Sequence, residues 1–145
     1  MEKTKDPNRW KYMQFFWRSW AIQASWNYER QMNMGFMYGI APILDNLYKN
    51  PEEEERKKEA YERHMMYYNC TPQTSAFVLG LAASMEEQYY EDPENFNPET
   101  ISAVKTSLMG PLSGVGDSFF QGTIRVLAFG LGINLAQQGS VFGPI

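Results

Sequence analysis

The chain of 145 residues carries a formal net charge of -4 and is 43% hydrophobic, enough apolar material for one domain with a buried core. Its acidic balance excludes a nucleic-acid binder, because holding a phosphate backbone takes clustered lysine and arginine. The lone cysteine, Cys70, excludes an internal disulfide and a multi-cysteine zinc site, and fits a reducing, cytoplasm-facing environment.

The opening MEKTKDPNRWKYMQFFWRSW is not a signal peptide: Arg18 interrupts its apolar part and no small-residue cleavage site follows. Within it Met13, Phe16, Trp17, Trp20 and Ala24 recur at three- and four-residue spacing, with Arg9, Lys11, Arg18 and Gln23 off the stripe. That pattern predicts an amphipathic helix, whose stripe faces either the core of a soluble bundle or a membrane surface. Four pairs, Asp6-Pro7, Asn50-Pro51, Thr71-Pro72 and Asn97-Pro98, read as helix starts: the first residue caps, and proline gives up a donor that had no partner. A fifth, Asp92-Pro93, falls in a polar loop. With no run of alternating β-branched residues, the predicted class is all-α.

The segment GFMYGIAPILDNLY is apolar and is expected to break or kink near Pro42. In PEEEERKKEAYERHMMYYN, Glu52, Glu53 and Glu54 stand four residues before Arg56, Lys57 and Lys58, the orientation that supports a solvated helix. From Thr71 to about Tyr90 a helix is expected to bury Phe77, Val78, Leu81 and Met85 and to turn polar at Glu86, Glu87 and Gln88. The loop EDPENFNPE follows, then a short helix with Ile101, Val104 and Leu108 on one side.

MGPLSGVGDSFFQGTIRVL, 109 to 127, looks at first like a phosphate loop, but Asp117 stands where a Walker motif needs lysine and would repel phosphate. No strand precedes Gly114-Val115-Gly116, so the dinucleotide pattern fails too. Gly110, Gly114, Gly116 and Pro111 predict a tight hairpin, with Asp117 capping the next helix. Arg125 lies about two turns, or roughly 12 Å, beyond Asp117 on a helix, too far for a direct ion pair, so each charge calls for a partner elsewhere. The run Val126 to Ala136 is the nearest approach to the roughly 18 uninterrupted apolar residues of a spanning helix, and it contains Asn134. Hydropathy alone reads as soluble; four tryptophans, nine tyrosines and nine phenylalanines, many beside arginine or lysine, read as interfacial.

No catalytic, metal or cofactor set emerges. His64 is the only histidine and reads as a structural hydrogen-bonding residue, while Ser118 has no base near it in sequence and a hydrolase would have to recruit His64 from a distant helix. The adjacent carboxylates Glu86 and Glu87 point to different helix faces.

The run LMGPLSGVGDSFFQGTIR closely resembles the motif of the IID membrane component of mannose-family sugar phosphotransferase systems. QASWNYERQMNMGFMYGIAPIL, RHMMYYNCTPQTSAFVLGLAASMEEQ and the final GSVFGPI resemble further family segments in the same order, so the likeness runs from about Phe16 onward. Two departures stand out: Gln31-Met32 reverses the expected Met-Gln after Tyr28-Glu29-Arg30, and Val126 replaces a proline frequent after the arginine. The resemblance implies a subunit of a bacterial inner-membrane permease with cytoplasm-facing parts, working in a hetero-oligomer with a IIC membrane partner and membrane lipid. IIA and IIB phosphocarriers would pass phosphate to a mannose-type hexose, with no phosphohistidine on this chain and no cofactor. It divides the chain into an amphipathic, interfacial portion (1–34), a helical region (35–108) and a Gly-rich hairpin with an apolar segment (109–145). Candidate substrate- or partner-coupling residues are Asp117, Arg125, Gly110, Gly114, Gly116, Glu29 and Arg30. Family members continue past the position of Ile145, so the expectation is an N-terminal half of the family chain; the alternative is a natural end that folds back onto the Phe16 to Trp20 stripe. The competing functional class is a soluble helical binding module.

Overall fold

The computed structural model describes residues 9–143. Helix α1 (Arg9–Ser19) leads through tight turns to α2 (Asn33–Leu47); a 3-10 turn at Pro51–Glu53 opens α3 (Glu54–His64); α4 (Pro72–Glu91) and α5 (Glu99–Gly116) follow. The chain then continues as a π-helical segment (Asp117–Ile124) and α6 (Arg125–Gln137). No β-strand lies among the described residues, so the all-α expectation holds.

Helix α2 is the central element. Its Phe36, Ile40, Ile43 and Leu44 are fully buried, and it packs against α1, α3 and α4. Glycine makes two of these contacts possible: a Cβ on Gly39 would lie 2.8 Å from Leu79 Cδ2, and one on Gly35 would run into the backbone of Ile22. Contrary to the expected break, α2 runs through Pro42. Proline leaves the carbonyl four residues back without its helical donor, and the Arg18 guanidinium supplies one, its Nη1 3.5 Å from Tyr38 O and its plane 4.7 Å from the Tyr38 ring centre.

Three proline starts are seen where expected: Pro51 opens the turn before α3, Pro72 opens α4, and α5 begins one residue after Pro98. Asp6-Pro7 lies outside the described residues. Capping differs in detail, since Asn97 Oδ1 accepts the Glu99 N–H at 2.9 Å, whereas Thr71 turns its hydroxyl away from its own helix. The Glu/Lys ladder of α3 is also redirected. Lys57 pairs with Asp45 of α2 at 2.8 Å, and Arg56 reaches Glu53 at 3.9 Å, so the charged helix is tied to its neighbour instead of only to itself.

The expected Gly-rich hairpin is not formed. Residues 99 to 137 make one helical rod of 39 residues, long and apolar enough to cross a membrane. Helical backbone continues through Gly110, Pro111, Gly114 and Gly116, and the described residues in the left-handed region, Gln31 (φ 57°) and Gly139 (φ 79°), both lie outside this stretch. At Gly139 the chain does turn back. Gly143 then seats on the rod, where a Cβ would stand 2.5 Å from Ala136 N, so the described part of the tail folds onto α6 and not onto the Phe16 to Trp20 stripe. Pro144 and Ile145 lie outside the described residues.

Candidate functional site

Three features stand out, and the long rod connects two of them. The first is a cluster of charge inside the core. Glu86 of α4, fully buried, takes a two-point contact from Arg63 (Nε to Oε1 2.9 Å, Nη2 to Oε2 3.2 Å) and a third from His64 Nε2 at 2.8 Å. Burial alone would raise the Glu86 pKa, but the hydrogen bonds from His64 and Arg63 outweigh it and hold the carboxyl below its ordinary range. Burial pulls His64 the other way from a free imidazole: its pKa falls despite Glu86, so the ring is neutral, with Nε2–H donating to the carboxylate and Nδ1 unpartnered among the described residues. The ring stacks on Phe36 at 5.7 Å. Lys105 of α5, also buried, donates to the His64 carbonyl at 3.2 Å at the C-terminal end of α3 and sits 4.1 Å above the Phe36 ring, and its burial pulls the amine down to about 7.

The sequence points to His64 as a hydrogen-bonding residue, and its ring does bond Glu86, but it does not single out Glu86 or Lys105. Helix α4 buries Ser75, Val78, Leu79, Ala82, Ala83 and Glu86, while Phe77, expected inside, is 62% exposed and Leu81 and Met85 are half-buried. The signal was available: Glu86 continues the 75, 79, 82 spacing, and Lys105 stands four residues after Ile101 and four before Met109, on one stripe.

The second feature is the joint where the rod leaves the core. Gly116 is buried against Thr71, where a Cβ would meet the threonine side chain at 2.6 Å. The Thr71 hydroxyl donates to Asp117 Oδ1 at 2.8 Å and lies 3.1 Å from Ser113 O. Asp117 therefore does not cap the next helix as expected. It sits instead beside the N-terminal end of α4, where a carboxylate is electrostatically favoured. From here the backbone widens: eight residues are π-helical, with the Arg125 N–H bonded to Phe120 O five residues back. Wide turns of this kind are uncommon and gather at functional sites. Arg125 hydrogen-bonds Gln121 Oε1 at 3.1 Å and covers the Phe129 ring, and it makes no ion pair with Asp117 among the described residues. Ser118 donates to Gly114 O on this exposed rod, while His64 is sealed against Glu86, so the two do not form a nucleophile pair. Gly110 and Gly114 face open space.

Glu29 and Arg30 lie elsewhere, in the turn before α2. They pair with each other at 3.5 Å, and Arg30 reaches Met65 O at 3.4 Å, linking that turn to the end of α3. Gln31 occupies the left-handed position here and Met32 is buried in the core, so the inverted Gln-Met order places the apolar side chain inside.

The third feature is an apolar exterior. Helix α1 is turned inside out: Lys11, Gln14, Phe15 and Arg18 face the body, Lys11 pairing with Glu87 at 3.0 Å, whereas Met13, Phe16, Trp17 (66% exposed) and Trp20 (76%) face outward. With its polar side occupied by α2 and α4, the stripe is not the core contact of a soluble bundle. Beyond the joint, Val126, Leu127, Phe129, Leu131 and Ile133 are all exposed on α6. Clustered exposed apolar side chains of this kind mark surfaces that meet a membrane or a partner.

A family model described as the PTS system mannose/fructose/sorbose family IID component matches residues 8–145. The chain is 40% identical over 130 residues to the mannose-specific EIID component of the PTS system of Escherichia coli (strain K12), covering 90% of this chain and 45% of that protein. It is 36% identical over 145 residues to the fructose permease IID component of Bacillus subtilis (strain 168), covering 100% of this chain and 51% of that one. In three dimensions it is similar to a chain of the cryo-EM structure of the mannose transporter ManYZ in complex with microcin E492, with a TM-score of 0.87 and 36% identity over 97% of this chain and 50% of the other. The chain thus spans about half the length of the curated relatives it matches.

Proposed function

The chain belongs to the mannose/fructose/sorbose family of IID components of the phosphotransferase system, and from that premise we propose that it is part of a membrane subunit of a bacterial sugar permease. In this reading it acts with a IIC partner in the inner membrane to take up a mannose-type hexose, which the IIB protein, charged by IIA, phosphorylates. The observation that carries it is the apolar exterior: an inside-out α1 and a rod that leaves the core at Asp117 and exposes Val126, Leu127, Phe129, Leu131 and Ile133 suit lipid and a membrane partner, not water. Residues 1–34 are the interfacial portion, 35–108 the cytoplasm-facing helical body and 109–145 the segment that enters the membrane. The buried, neutral His64 has no exposed nitrogen to accept a phosphoryl group, which supports placing that chemistry on other subunits. The competing idea of a soluble binding module has no support in the likenesses.

Asp117, Arg125, Gly110, Gly114 and Gly116 are the coupling residues of this proposal, placed on the rod where body and membrane segment meet, with Glu29 and Arg30 supporting the turn behind α2. Charged groups in an apolar helix are retained for partners or pathways. The test is sugar uptake in cells whose natural-length protein carries Asp117→Asn or Arg125→Leu. Reduced uptake at unchanged membrane abundance is expected; wild-type uptake in both variants would refute the coupling role.

A further inference from the structure

Between the end of α1 and the start of α4 lies an apolar cleft of about 410 Å³, lined by Phe16, Ser19, Trp20, Ile22, Pro72, Gln73 and Ala76. Its floor is the buried Ile22 and its walls are the Phe16 and Trp20 rings on one side and Pro72 and Ala76 on the other. Polar groups are confined to Ser19, whose hydroxyl is already spent on Phe16 O at 2.7 Å, and Gln73, which is exposed.

We propose that this cleft is a binding site for one acyl chain of a membrane phospholipid. The inference rests on the reading that the chain sits in a bilayer, and it deepens that reading by naming a site. Two observations choose lipid as the occupant. The cleft includes Pro72, next in sequence to the Thr71 that holds Gly116 and Asp117, so it lies at the level where the exposed apolar part of the rod begins. It is also continuous with the outward stripe of α1 through Phe16 and Trp20, and tryptophan at such a boundary suits the junction of acyl chain and headgroup. An acyl chain covers these walls without needing a hydrogen-bond partner from the cleft, and the Gln73 amide is placed to meet the ester region above it.

The experiment uses the protein at its natural length, in vesicles of brominated phosphatidylcholine, with Trp20 or Trp17 kept as the sole tryptophan of residues 1–145 by Trp→Phe changes at the other positions. In vesicles both residues lose emission, because both face lipid. On transfer to lipid-free detergent, Trp17 recovers while Trp20 stays quenched by the retained lipid, and Ala76→Phe, which fills the cleft from an exposed helix position, restores Trp20 emission. Equal recovery of Trp17 and Trp20 in detergent would overturn the site, and so would a Trp20 shielded from bromine in vesicles where Trp17 is quenched, since a protein segment then covers the cleft. Absence of quenching at both residues in vesicles would overturn the bilayer reading itself.

Discussion

Replacing Glu86 by Gln removes the charge on which the core cluster closes while keeping its volume. Arg63, whose side chain is only 11% exposed, loses its counter-charge, and the two-point contact drops to the single acceptor an amide offers. Hydrogen bonds to a charged group contribute about 1.5–3 kcal/mol, and leaving a buried ion unpaired costs about 3–5 kcal/mol, so Glu86→Gln is expected to destabilise by about 3 kcal/mol. At roughly 3 °C per kcal/mol for a chain of this size or somewhat larger, the unfolding midpoint falls by about 9 °C. Thermal unfolding of the detergent-solubilised protein, read by fluorescence, measures it. The triple change Arg63→Met, His64→Phe, Glu86→Leu is expected to recover most of the loss, because an apolar replacement leaves no charge stranded. Acid sensitivity follows from the same cluster. The folded state holds His64 below its ordinary value of 6.5, so beneath that pH the unfolded chain binds the extra proton and stability falls; Glu86, held below 4.5, adds a second loss at lower pH. One proton of difference gives a slope of at most about 1.4 kcal/mol per pH unit. His64→Phe should flatten the midpoint-against-pH curve just under 6.5 and shrink the lower-pH loss, because only Arg63 then holds Glu86 down. A Glu86→Gln midpoint equal to wild type, or an unchanged slope in His64→Phe, would refute the reasoning.

The glycines of the rod divide by their surroundings. Gly116→Ala drives a Cβ into Thr71 and is expected to cost about 1–3 kcal/mol, whereas Gly110→Ala, with open space around it, should raise stability of the isolated subunit by about 0.5–1 kcal/mol through better helix propensity; chemical or thermal unfolding separates the two. The proline in α2 predicts a rescue. Arg18→Leu strands the Tyr38 carbonyl and should lower the midpoint, while adding Pro42→Ala restores the helical N–H and returns part of the loss; a double variant no better than Arg18→Leu would show that Arg18 acts through its ring contact alone.

Element type was legible from local chemistry, because the cues at Pro51, Pro72 and Pro98 act within a few residues of themselves. Which side of a helix is buried was less so. The stripe of α1 is genuine, but periodicity cannot tell a core from lipid, and here the apolar side points out while Lys11 and Arg18 point in. The apolar face of α4 was drawn one step off because Glu86 reads as surface until its two partners on α3 are known, and those lie 22 and 23 residues away in sequence. The glycines of 109–127 predict a turn, and the chain is helical there. Glycine permits a turn without demanding one, and at Gly116 its use is the close approach of Thr71. Asp117 and Gly116 were legible as special and do meet at one contact; Glu29 and Arg30 belong to a different part of the body.

The widened turns after Asp117 also have a consequence for rotational phase. An i→i+5 bond holds one residue more than an i→i+4 bond, so each wide turn swings everything downstream by about 100°, the arc one residue occupies on an α-helix. The rod is therefore two shafts joined by a phase shifter. Upstream, Lys105 and Gly116 key α5 to the body at a fixed angle; downstream, α6 carries apolar side chains on every side and has no preferred angle of its own. A deletion of one residue within 118–124 would re-index α6 against whatever it meets in the membrane while leaving the helical body and its Thr71–Asp117 contact in place, so the length of this short segment, more than the identity of most residues in it, sets the alignment of the two halves.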